Sequence, residues 1–346
     1  MTENRFFAAY NGGGGFCSSF GGVFDPGKFD SVYIIKGGPG TGKSTFMKKL
    51  GEEAERRGCD PKYYFCSSDV SSLDGVVIDE LGVCVLDGTA PHVTEAKYPG
   101  ACETVLNFGE AFDAAALREQ RADVERLSAK SGEMYSRAYA CLRAARECAE
   151  EERRVANAAY LRSKAAAYIR RTYGEMSRGA VCETCLTTVC GEGAFRLPTY
   201  FSQASRVFTI DEYYGTGYLF LTDLAAFARA AGLCAAVVPD PVCPGFFEGV
   251  YFLKDGVYIT VDRGDAPKDA KKINASRFVD AAAVRADRRY LRAAGKLSRR
   301  AISAATDAMA AAHAAHAELE KIYIAHTDFS VVDEIFARVK ASVFEK

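Results

Sequence analysis

The sequence predicts an α/β fold in which one module occurs twice, and three observations support this. Short apolar runs broken by glycine fill residues 5–100 and 193–278, and an alanine- and arginine-rich stretch typical of long helices follows each block. Strand-like, helix-like and strand-like segments succeed one another near the start, which is the order of a βαβ unit on a parallel sheet. A shift of about 175 residues then aligns the first half of the chain with the second.

The first block contains the elements of the βαβ unit in order. β-Branched and aromatic residues predict its strands, and a run of helix-forming residues stops at Gly58, which suits a helix C-terminus. The predicted elements are strands at 32–36, 62–66 and 83–86 and a helix at 43–57. Residues 110–175 lack proline and predict two or more long helices, with a break near Ser131-Gly132.

The repeat rests on identities that keep their order and spacing. The matched positions are Gly40-Thr41-Gly42 with Gly215-Thr216-Gly217, Leu50 with Leu224, Gly58 with Gly232, Asp74-Gly75-Val76 with Glu248-Gly249-Val250, Gly82-Val83 with Gly256-Val257, Asp87 with Asp262, and Ala90-Pro91 with Ala266-Pro267. We therefore predict four segments. They are an α/β core at 1–110, a helical hairpin at 111–178, a second α/β core at 193–278 and a C-terminal helical segment at 279–346.

The composition is typical of a soluble globular protein and excludes some partners. The 346 residues are 49% hydrophobic and 26% charged, and the formal net charge of −1 gives no overall field for nucleic acid or an anionic membrane. No apolar run reaches the ~18 residues of a membrane span. The first residues lack the basic and apolar regions of a signal peptide. We expect a cytoplasmic protein with twelve reduced cysteines and with neither membrane nor nucleic acid as partner.

The most specific motif lies between the first predicted strand and helix. Residues 37–44 match the P-loop pattern GxxxxGK[ST] without a mismatch. Glycine lets successive backbone N–H groups turn toward phosphate oxygens, and the following helix adds its positive dipole end. Lys43 should reach the β- and γ-phosphates of a nucleoside triphosphate, and the Ser44 hydroxyl should bind Mg²⁺. The predicted nucleotide-binding residues are Gly37, Gly38, Pro39, Gly40, Thr41, Gly42, Lys43, Ser44 and Thr45.

A P-loop also needs a carboxylate for Mg²⁺ at the end of a neighbouring strand. Asp87 fits because it follows four apolar residues, and Asp69, which follows the strand at 62–66, is its rival. We therefore predict Lys43, Asp87 and Asp69 as catalytic residues. Ser44 and Asp87 are the predicted metal ligands.

The residue that would activate water is left open. Many ATPases carry a glutamate directly after the metal-binding aspartate, but this chain has Gly88 there. The activating group must come from elsewhere, or the reaction is not simple hydrolysis. Glu80, Asp74 and His92 are available, and their spacing does not choose among them.

Four short strings together resemble a known family. They are Lys36-Gly-Gly-Pro-Gly-Thr-Gly-Lys-Ser-Thr45, Cys66-Ser-Ser-Asp69, Ser72-Leu-Asp-Gly75 and Asp87-Gly-Thr-Ala-Pro-His92. The combination, with the repeat, resembles a little-characterised bacterial family of duplicated P-loop ATPases over nearly the whole chain. The resemblance implies ATP as the nucleotide and a cytoplasmic setting, and it adds weight to Asp69, Asp74, Asp87 and His92 as site residues. It implies no cellular role.

The second copy departs from the family pattern of a second P-loop. The repeat alignment puts Tyr218 in place of the lysine and Leu219 in place of the metal-binding serine, after two acids and two tyrosines. An acidic, bulky loop without lysine does not stabilise a triphosphate, so we expect a degenerate and catalytically inactive second copy. It would complete the fold by packing on the first copy, or lend a residue to the active site.

Weaker signals are interpreted as structural. A basic helix face at 285–300 is better explained as solvated than as a contact for phosphate or nucleic acid. Cys182, Cys185 and Cys190 form only a weak zinc or redox motif. His313 and His316, one helical turn apart, have no further ligand nearby, so no metal site is expected there.

The predicted function is Mg²⁺-dependent binding of ATP, with hydrolysis coupled to a conformational change of the helical hairpins. Two alternatives stay open. One is a kinase that transfers the γ-phosphoryl group to a small molecule, since phosphoryl transfer needs the same groups. The other is a nucleotide-gated module with negligible turnover that engages an unknown protein partner. A GTPase is disfavoured because no NKxD motif follows the strand at 83–86.

Overall fold

The computed structural model describes residues 4–345. Residues 1–3, where the predicted first core begins, and residue 346, where the last segment ends, lie outside the described residues. The strands of the first half are β1 (Arg5–Phe7), β2 (Ala9–Gly12), β3 (Gly15–Ser18), β4 (Ser31–Lys36), β5 (Lys62–Phe65), β6 (Leu73–Ile78), β7 (Val83–Asp87) and β8 (Glu103–Asn107). Those of the second half are β9 (Val181–Glu183), β10 (Thr187–Cys190), β11 (Gly193–Arg196), β12 (Arg206–Ile210), β13 (Ala235–Pro239), β14 (Phe247–Phe252), β15 (Val257–Val261) and β16 (Lys271–Ile273).

The helices are short within the two cores and long after them. They are α1 (Phe20–Val23), α2 (Lys43–Arg56), α3 (Ala114–Glu119), α4 (Arg121–Ala159), α5 (Arg162–Tyr173), α6 (Thr199–Gln203), α7 (Thr216–Ala231), α8 (Ala281–Ala325) and α9 (Phe329–Phe344). None of them, within the part of the chain that the structure describes, has the length and apolar character of a membrane span.

The predicted α/β class is confirmed, but the sheets are mixed rather than parallel. In the first sheet the strand order is β1-β5-β6-β7-β4-β8, and β6 is antiparallel to both of its neighbours. The other pairs are parallel. The reason is the chain length between strands: the short connections on either side of β6 allow only antiparallel neighbours, because a parallel crossover needs a dozen or more residues.

The second sheet repeats the first strand by strand. Its order is β9-β13-β14-β15-β12-β16, and β14 is the one antiparallel strand, as β6 is in the first sheet. Small hairpins, β2–β3 and β10–β11, also stand at corresponding places. Gly58 and Gly232 both have positive φ just after α2 and α7. The chain therefore contains two α/β units of one topology, consistent with a duplicated module.

The long helices α4 and α8 pack against each other in antiparallel directions. Ser131 Oγ in α4 donates to the Ala312 carbonyl in α8, and Ser298 Oγ in α8 donates to the Ala145 carbonyl in α4. The two bonds are equivalent under the repeat, so the helix pair has a pseudo-two-fold axis. The predicted helix break near Ser131-Gly132 is wrong, because α4 continues through these residues without a break. Ser131 packs against α8 instead.

Each copy's last helix packs on the other copy. Ile169 and Tyr173 of α5 are buried in the core around the second sheet, whereas Ile335 and Val339 of α9 are buried in the core around the first. The backbone contacts at which each helical segment crosses to the other copy also correspond under the repeat. The backbone of Phe112 pairs with Thr327, and that of Val279 pairs with Tyr160.

Candidate functional site

The glycine-rich loop, residues 37–45, connects β4 to α2 at the carboxyl edge of the first sheet. Gly40 and Gly42 have φ values of +67° and +82°, which side chains other than glycine rarely adopt. Gly42 is the residue before the first turn of α2. The loop therefore has the backbone freedom and the adjoining helix N-terminus of an anion-binding turn.

The structure brings the predicted lysine and aspartate together. Lys43 Nζ lies 3.6 Å from Asp87 Oδ2, and the two side chains are 13% and 12% exposed. The same ammonium donates to the carbonyl oxygens of Gly38 at 2.8 Å and Gly37 at 3.4 Å. Asp87 ends β7, where it pairs in register with Ile35 of β4, so adjacent parallel strands deliver the loop and the carboxylate to one place.

Ser44 and Asp87 keep oxygen atoms that suit a magnesium ion. Asp87 Oδ1 accepts from the backbone N–H and hydroxyl of Thr89, which leaves Oδ2 directed toward Lys43. Ser44 Oγ accepts a hydrogen bond from the Leu73 N–H at 3.0 Å. No group of three or more His, Cys, Asp or Glu that could hold a metal occurs among residues 4–345. A Mg²⁺ ion held by Ser44 and Asp87 would not need such a group, because Mg²⁺ binds one or two protein oxygens and takes its other ligands from phosphates and water.

Asp69 organises the turn between β5 and β6. Its Oδ1 accepts from the Ser71 N–H and hydroxyl, and its Oδ2 accepts from the Ser72 hydroxyl at 2.6 Å. Burial raises the pKa of Asp69, but the hydrogen bonds from Ser72 and Ser71 outweigh it, so the net pKa lies below its usual value. Both oxygens of Asp69 are thus engaged within the turn.

Of the three residues considered for water activation, two lie together. His92 Nε2 is 3.8 Å from Asp74 Oδ1, and both side chains are almost fully buried. Burial and the nearby Asp87 raise the pKa of Asp74 to about 8, and burial lowers the pKa of His92. Glu80 instead follows the far end of β6, where it is exposed and accepts from the Asp60 N–H.

A helix of the second copy covers the glycine-rich loop. A Cβ added at Gly38 would lie 3.0 Å from Tyr323 and 3.1 Å from Phe112, and one at Gly40 would lie 2.8 Å from Ile324 and 3.0 Å from the Glu320 carbonyl. These neighbours were not predicted, because nothing in the local sequence shows that α8 crosses to the other copy.

Two histidines of α8 face the same region. His316 Nε2 lies 3.7 Å from Glu320 Oε1, and burial lowers the pKa of His316. Asp69 interacts electrostatically with both His313 and His316, and Lys43 does so with His316. The end of α8 therefore adds titratable groups to the surroundings of the loop.

The corresponding loop of the second copy is shorter and has no lysine. Six residues (36–41) separate Ile35 from Gly42, but only four (211–214) separate Ile210 from Gly215, where Gly42 and Gly215 each precede a helix with positive φ. The structure moves the sequence alignment by one residue. The buried faces and end glycines of α2 and α7 match when Gly217 lies at the position of Lys43 and Tyr218 at that of Ser44, so α7 begins one residue earlier than α2. A Cβ at Gly217 would lie only 3.0 Å from the Asp211 carbonyl.

A protein cation occupies the space beside this second loop. Arg153 of α4 donates to Asp240 at 2.5 Å, and its guanidinium lies 3.8 Å from the Tyr218 ring centroid. A Cβ at Gly215 would lie 2.8 Å from Arg153 Cγ. Arg153 is buried, so this ion pair fixes the end of α4 to the second copy.

The weaker sequence signals do not converge on a site. Cys182 is exposed on β9, whereas Cys185 and Cys190 are buried, and burial raises the pKa of both buried thiols. The basic residues of α8 are exposed: Arg285, Arg288, Arg289, Arg292, Lys296, Arg299 and Arg300.

Comparison with protein-family models, with curated proteins and with solved structures finds no match to this chain.

Proposed function

We propose that the chain is a P-loop NTPase that binds Mg²⁺–ATP at residues 37–45 and hydrolyses it. The observation that carries the proposal is the meeting of Lys43 and Asp87 at the ends of two adjacent parallel strands, beside a glycine-rich helix N-terminus. These are the positions from which a lysine and a carboxylate serve a bound triphosphate.

The groups have distinct parts in this proposal. Backbone N–H groups of the loop and the N-terminus of α2 bind the phosphates, and Lys43 exchanges the carbonyls of Gly37 and Gly38 for β- and γ-phosphate oxygens. Ser44 and Asp87 would hold Mg²⁺, which neutralises charge that develops on the phosphates. The resident charges thus suit stabilisation of phosphoryl transfer.

We also propose that hydrolysis is coupled to movement of α8. Tyr323, Ile324 and the Glu320 carbonyl lie against the glycines that would receive the phosphates, so a nucleotide needs part of this space. At the equivalent place in α4, Arg153 holds the helix to the second copy by a buried ion pair. The residue of α8 that corresponds to Arg153 under the repeat is Glu320, and the negative charge of a phosphate would repel this acid. The nucleotide therefore acts on α8 and leaves α4 in place.

Transfer of the γ-phosphoryl group to a small molecule is the second candidate. A Cβ at Gly88 would lie 2.4 Å from Ile34 Cγ2, so no glutamate can stand directly after Asp87 without displacing the strand. A site without that glutamate suits an acceptor other than water. A nucleotide-gated module that binds a protein partner without turnover is the third, and we place all three in the cytoplasm.

Phosphate release separates these functions. Wild type and Lys43→Ala are assayed with Mg²⁺ and either ATP or GTP, first alone and then with a set of small-molecule acceptors. Steady release from ATP alone supports the ATPase, and ATP consumption only with an acceptor supports the kinase. Lys43→Ala should lose at least ~100-fold of the rate, because a charge in contact with the transferred group is removed. A rate unchanged by this substitution contradicts the proposed site.

A further inference from the structure

The buried pair of Asp74 and His92 is not needed to bind a triphosphate, yet it lies among the charges of the site. Asp74 is at the start of β6, across from Asp87, because the next residue, Gly75, pairs with Leu86. Its carboxyl interacts electrostatically with Asp87 and Lys43. It therefore lies at the sheet edge where Lys43 would meet the γ-phosphate.

Each member of the pair has one buried polar atom without a hydrogen-bond partner, although the Asp74 carboxyl also receives a hydrogen bond from the Cys66 thiol. Asp74 Oδ2 and His92 Nδ1 have no hydrogen-bond partner among residues 4–345. The His92 ring is held by stacking on Phe20, with ring centroids 4.3 Å apart. Buried groups of this kind are costly and rare, so two in contact at a candidate site call for a function.

The other carboxylates around the site are excluded by their surroundings. Asp87 Oδ2 faces Lys43, both oxygens of Asp69 accept from Ser71 and Ser72, and Glu80 is at the far end of β6. No side chain fits at Gly88. Among the four acids Asp69, Asp74, Glu80 and Asp87, Asp74 is the carboxylate that remains.

We propose that Asp74 is the general base for the attacking water and that His92 is a positioning residue that orients its carboxylate. This inference rests on the proposed hydrolysis of ATP. The water oxygen forms a bond to the γ-phosphorus as the bond to the β–γ bridging oxygen breaks, and ADP leaves with that electron pair. The proton of the water passes to Asp74 Oδ2 and then to the phosphate product or to solvent. His92, with its proton on Nε2, would donate to Asp74 Oδ1 once the present 3.8 Å between these atoms shortens to hydrogen-bond length.

The position of Asp74 suits this part. Its carboxyl lies across the strand pair from Asp87, interacts electrostatically with Lys43 and also receives a hydrogen bond from the Cys66 thiol. A general base must lie within hydrogen-bond reach of the proton that it removes.

The test compares four variants with wild type: Asp74→Asn, His92→Gln, His92→Ala and, as a control, Glu80→Gln. The measurements are the dissociation constant of Mg²⁺–ATP, kcat for phosphate release and the unfolding midpoint. Asp74→Asn should lower kcat by ~100-fold or more with an unchanged dissociation constant, as loss of a general base does. His92→Gln, whose amide nitrogen can replace Nε2, should retain more activity than His92→Ala. Glu80→Gln should match wild type.

Several results would overturn the inference. One is an Asp74→Asn enzyme with wild-type kcat, whether or not its affinity for ATP changes. If Asp74→Asn does not fold, equal rates for His92→Gln and His92→Ala overturn the inference. A wild type that does not bind ATP, or that binds it without releasing phosphate, refutes the proposed function itself, which distinguishes the two failures.

Discussion

At the residue scale, Lys43 is the residue on which the charges of the site converge. Its ammonium contacts two loop carbonyls and lies near Asp87, while Asp74 carries a second carboxyl across the strand. Burial and the neighbouring Asp87 favour a protonated Asp74, because two unscreened buried anions repel each other. Asp74 must therefore release this proton, as an added Mg²⁺ would favour, before it can accept one from the attacking water.

The raised pKa of Asp74 predicts a pH-dependent stability. Its folded-state pKa of about 8 lies above the ordinary value, so between these pH values the folded protein binds more protons than the unfolded chain. The free energy of unfolding that Asp74 contributes is thus present at low pH and is lost as the pH rises through this range, with a slope of up to ~1.4 kcal/mol per pH unit.

Denaturant unfolding of wild type and Asp74→Asn at several pH values between 5 and 8.5 measures this slope. The comparison cancels the contributions of titrating groups that do not contact Asp74. The unfolding free energy of Asp74→Asn should increase relative to that of wild type as the pH rises. A difference that does not vary with pH would show that Asp74 has an ordinary pKa.

Residues that form one contiguous motif could be predicted from the sequence, and those that meet across strands could not. Lys43 and Ser44 lie in a nine-residue string, and Asp87 follows an obvious strand. The pairing of Asp74 with His92 depends on the antiparallel direction of β6, which the periodicity of a short apolar run does not reveal. Spacing alone therefore could not separate them from Glu80.

At the element scale, the two long helices meet the two loops in different ways. Arg153 fixes α4 beside the second loop by its buried pair with Asp240 and its contact with Tyr218. The end of α8 meets the glycine-rich loop through Tyr323 and Ile324, with no buried ion pair of that kind among the described residues. The difference makes α8 the helix that a nucleotide would move.

Hydrogen exchange can detect this asymmetry, with the equivalent segment of α4 as the internal control. With Mg²⁺ and a non-hydrolysable ATP analogue, amides at 316–325 should exchange faster, because their contacts with the loop are lost. Amides at 149–158 should exchange as in the nucleotide-free protein. Equal changes in both segments, or none in either, contradict the coupling.

Element type was easier to predict than element arrangement. The strands at 32–36, 62–66 and 83–86 are present as β4, β5 and β7, because their β-branched and aromatic runs are bounded by turns. The mixed sheet was missed, since β6 was not predicted as a strand. The positions matched to Lys43 and Ser44 were placed one residue too late, because the shortened second loop displaces the alignment just before the two helices.

At the scale of the whole molecule, the two copies are joined by exchange of their last helices. Buried α9 residues complete the first core and buried α5 residues complete the second, while α4 and α8 form a shared antiparallel pair. Neither α/β unit thus buries its own core without the other half of the chain. The second copy, whose loop has no lysine, therefore has a structural use that this loop does not reveal.

The exchange predicts matched losses of stability. Ile335→Ala in α9 and Ile169→Ala in α5 each remove a buried side chain and should each cost ~2–5 kcal/mol in the free energy of unfolding. Leu297→Ala makes a similar change at an exposed position of α8 and should cost under ~0.5 kcal/mol. The check is chemical denaturation. An Ile335→Ala protein as stable as Leu297→Ala would show that α9 does not complete the first core.

Sequence periodicity cannot show such an exchange. A helical hairpin that returns to its own sheet and one that crosses to the other copy bury the same apolar stripe, so their patterns are identical. The contacts of Phe112 with Thr327 and of Val279 with Tyr160, and the cores in which α5 and α9 are buried, distinguish them.

Titration calorimetry tests directly whether Lys43 and its loop bind Mg²⁺–ATP. The affinity is measured for wild type, Lys43→Ala and Lys49→Ala. Lys49 is an exposed lysine on the same helix that pairs with Asp333, so its removal changes the net charge equally. We expect binding by wild type and Lys49→Ala and at least ~10-fold weaker binding by Lys43→Ala. Equal affinity for all three proteins, or no binding by wild type, would contradict this expectation.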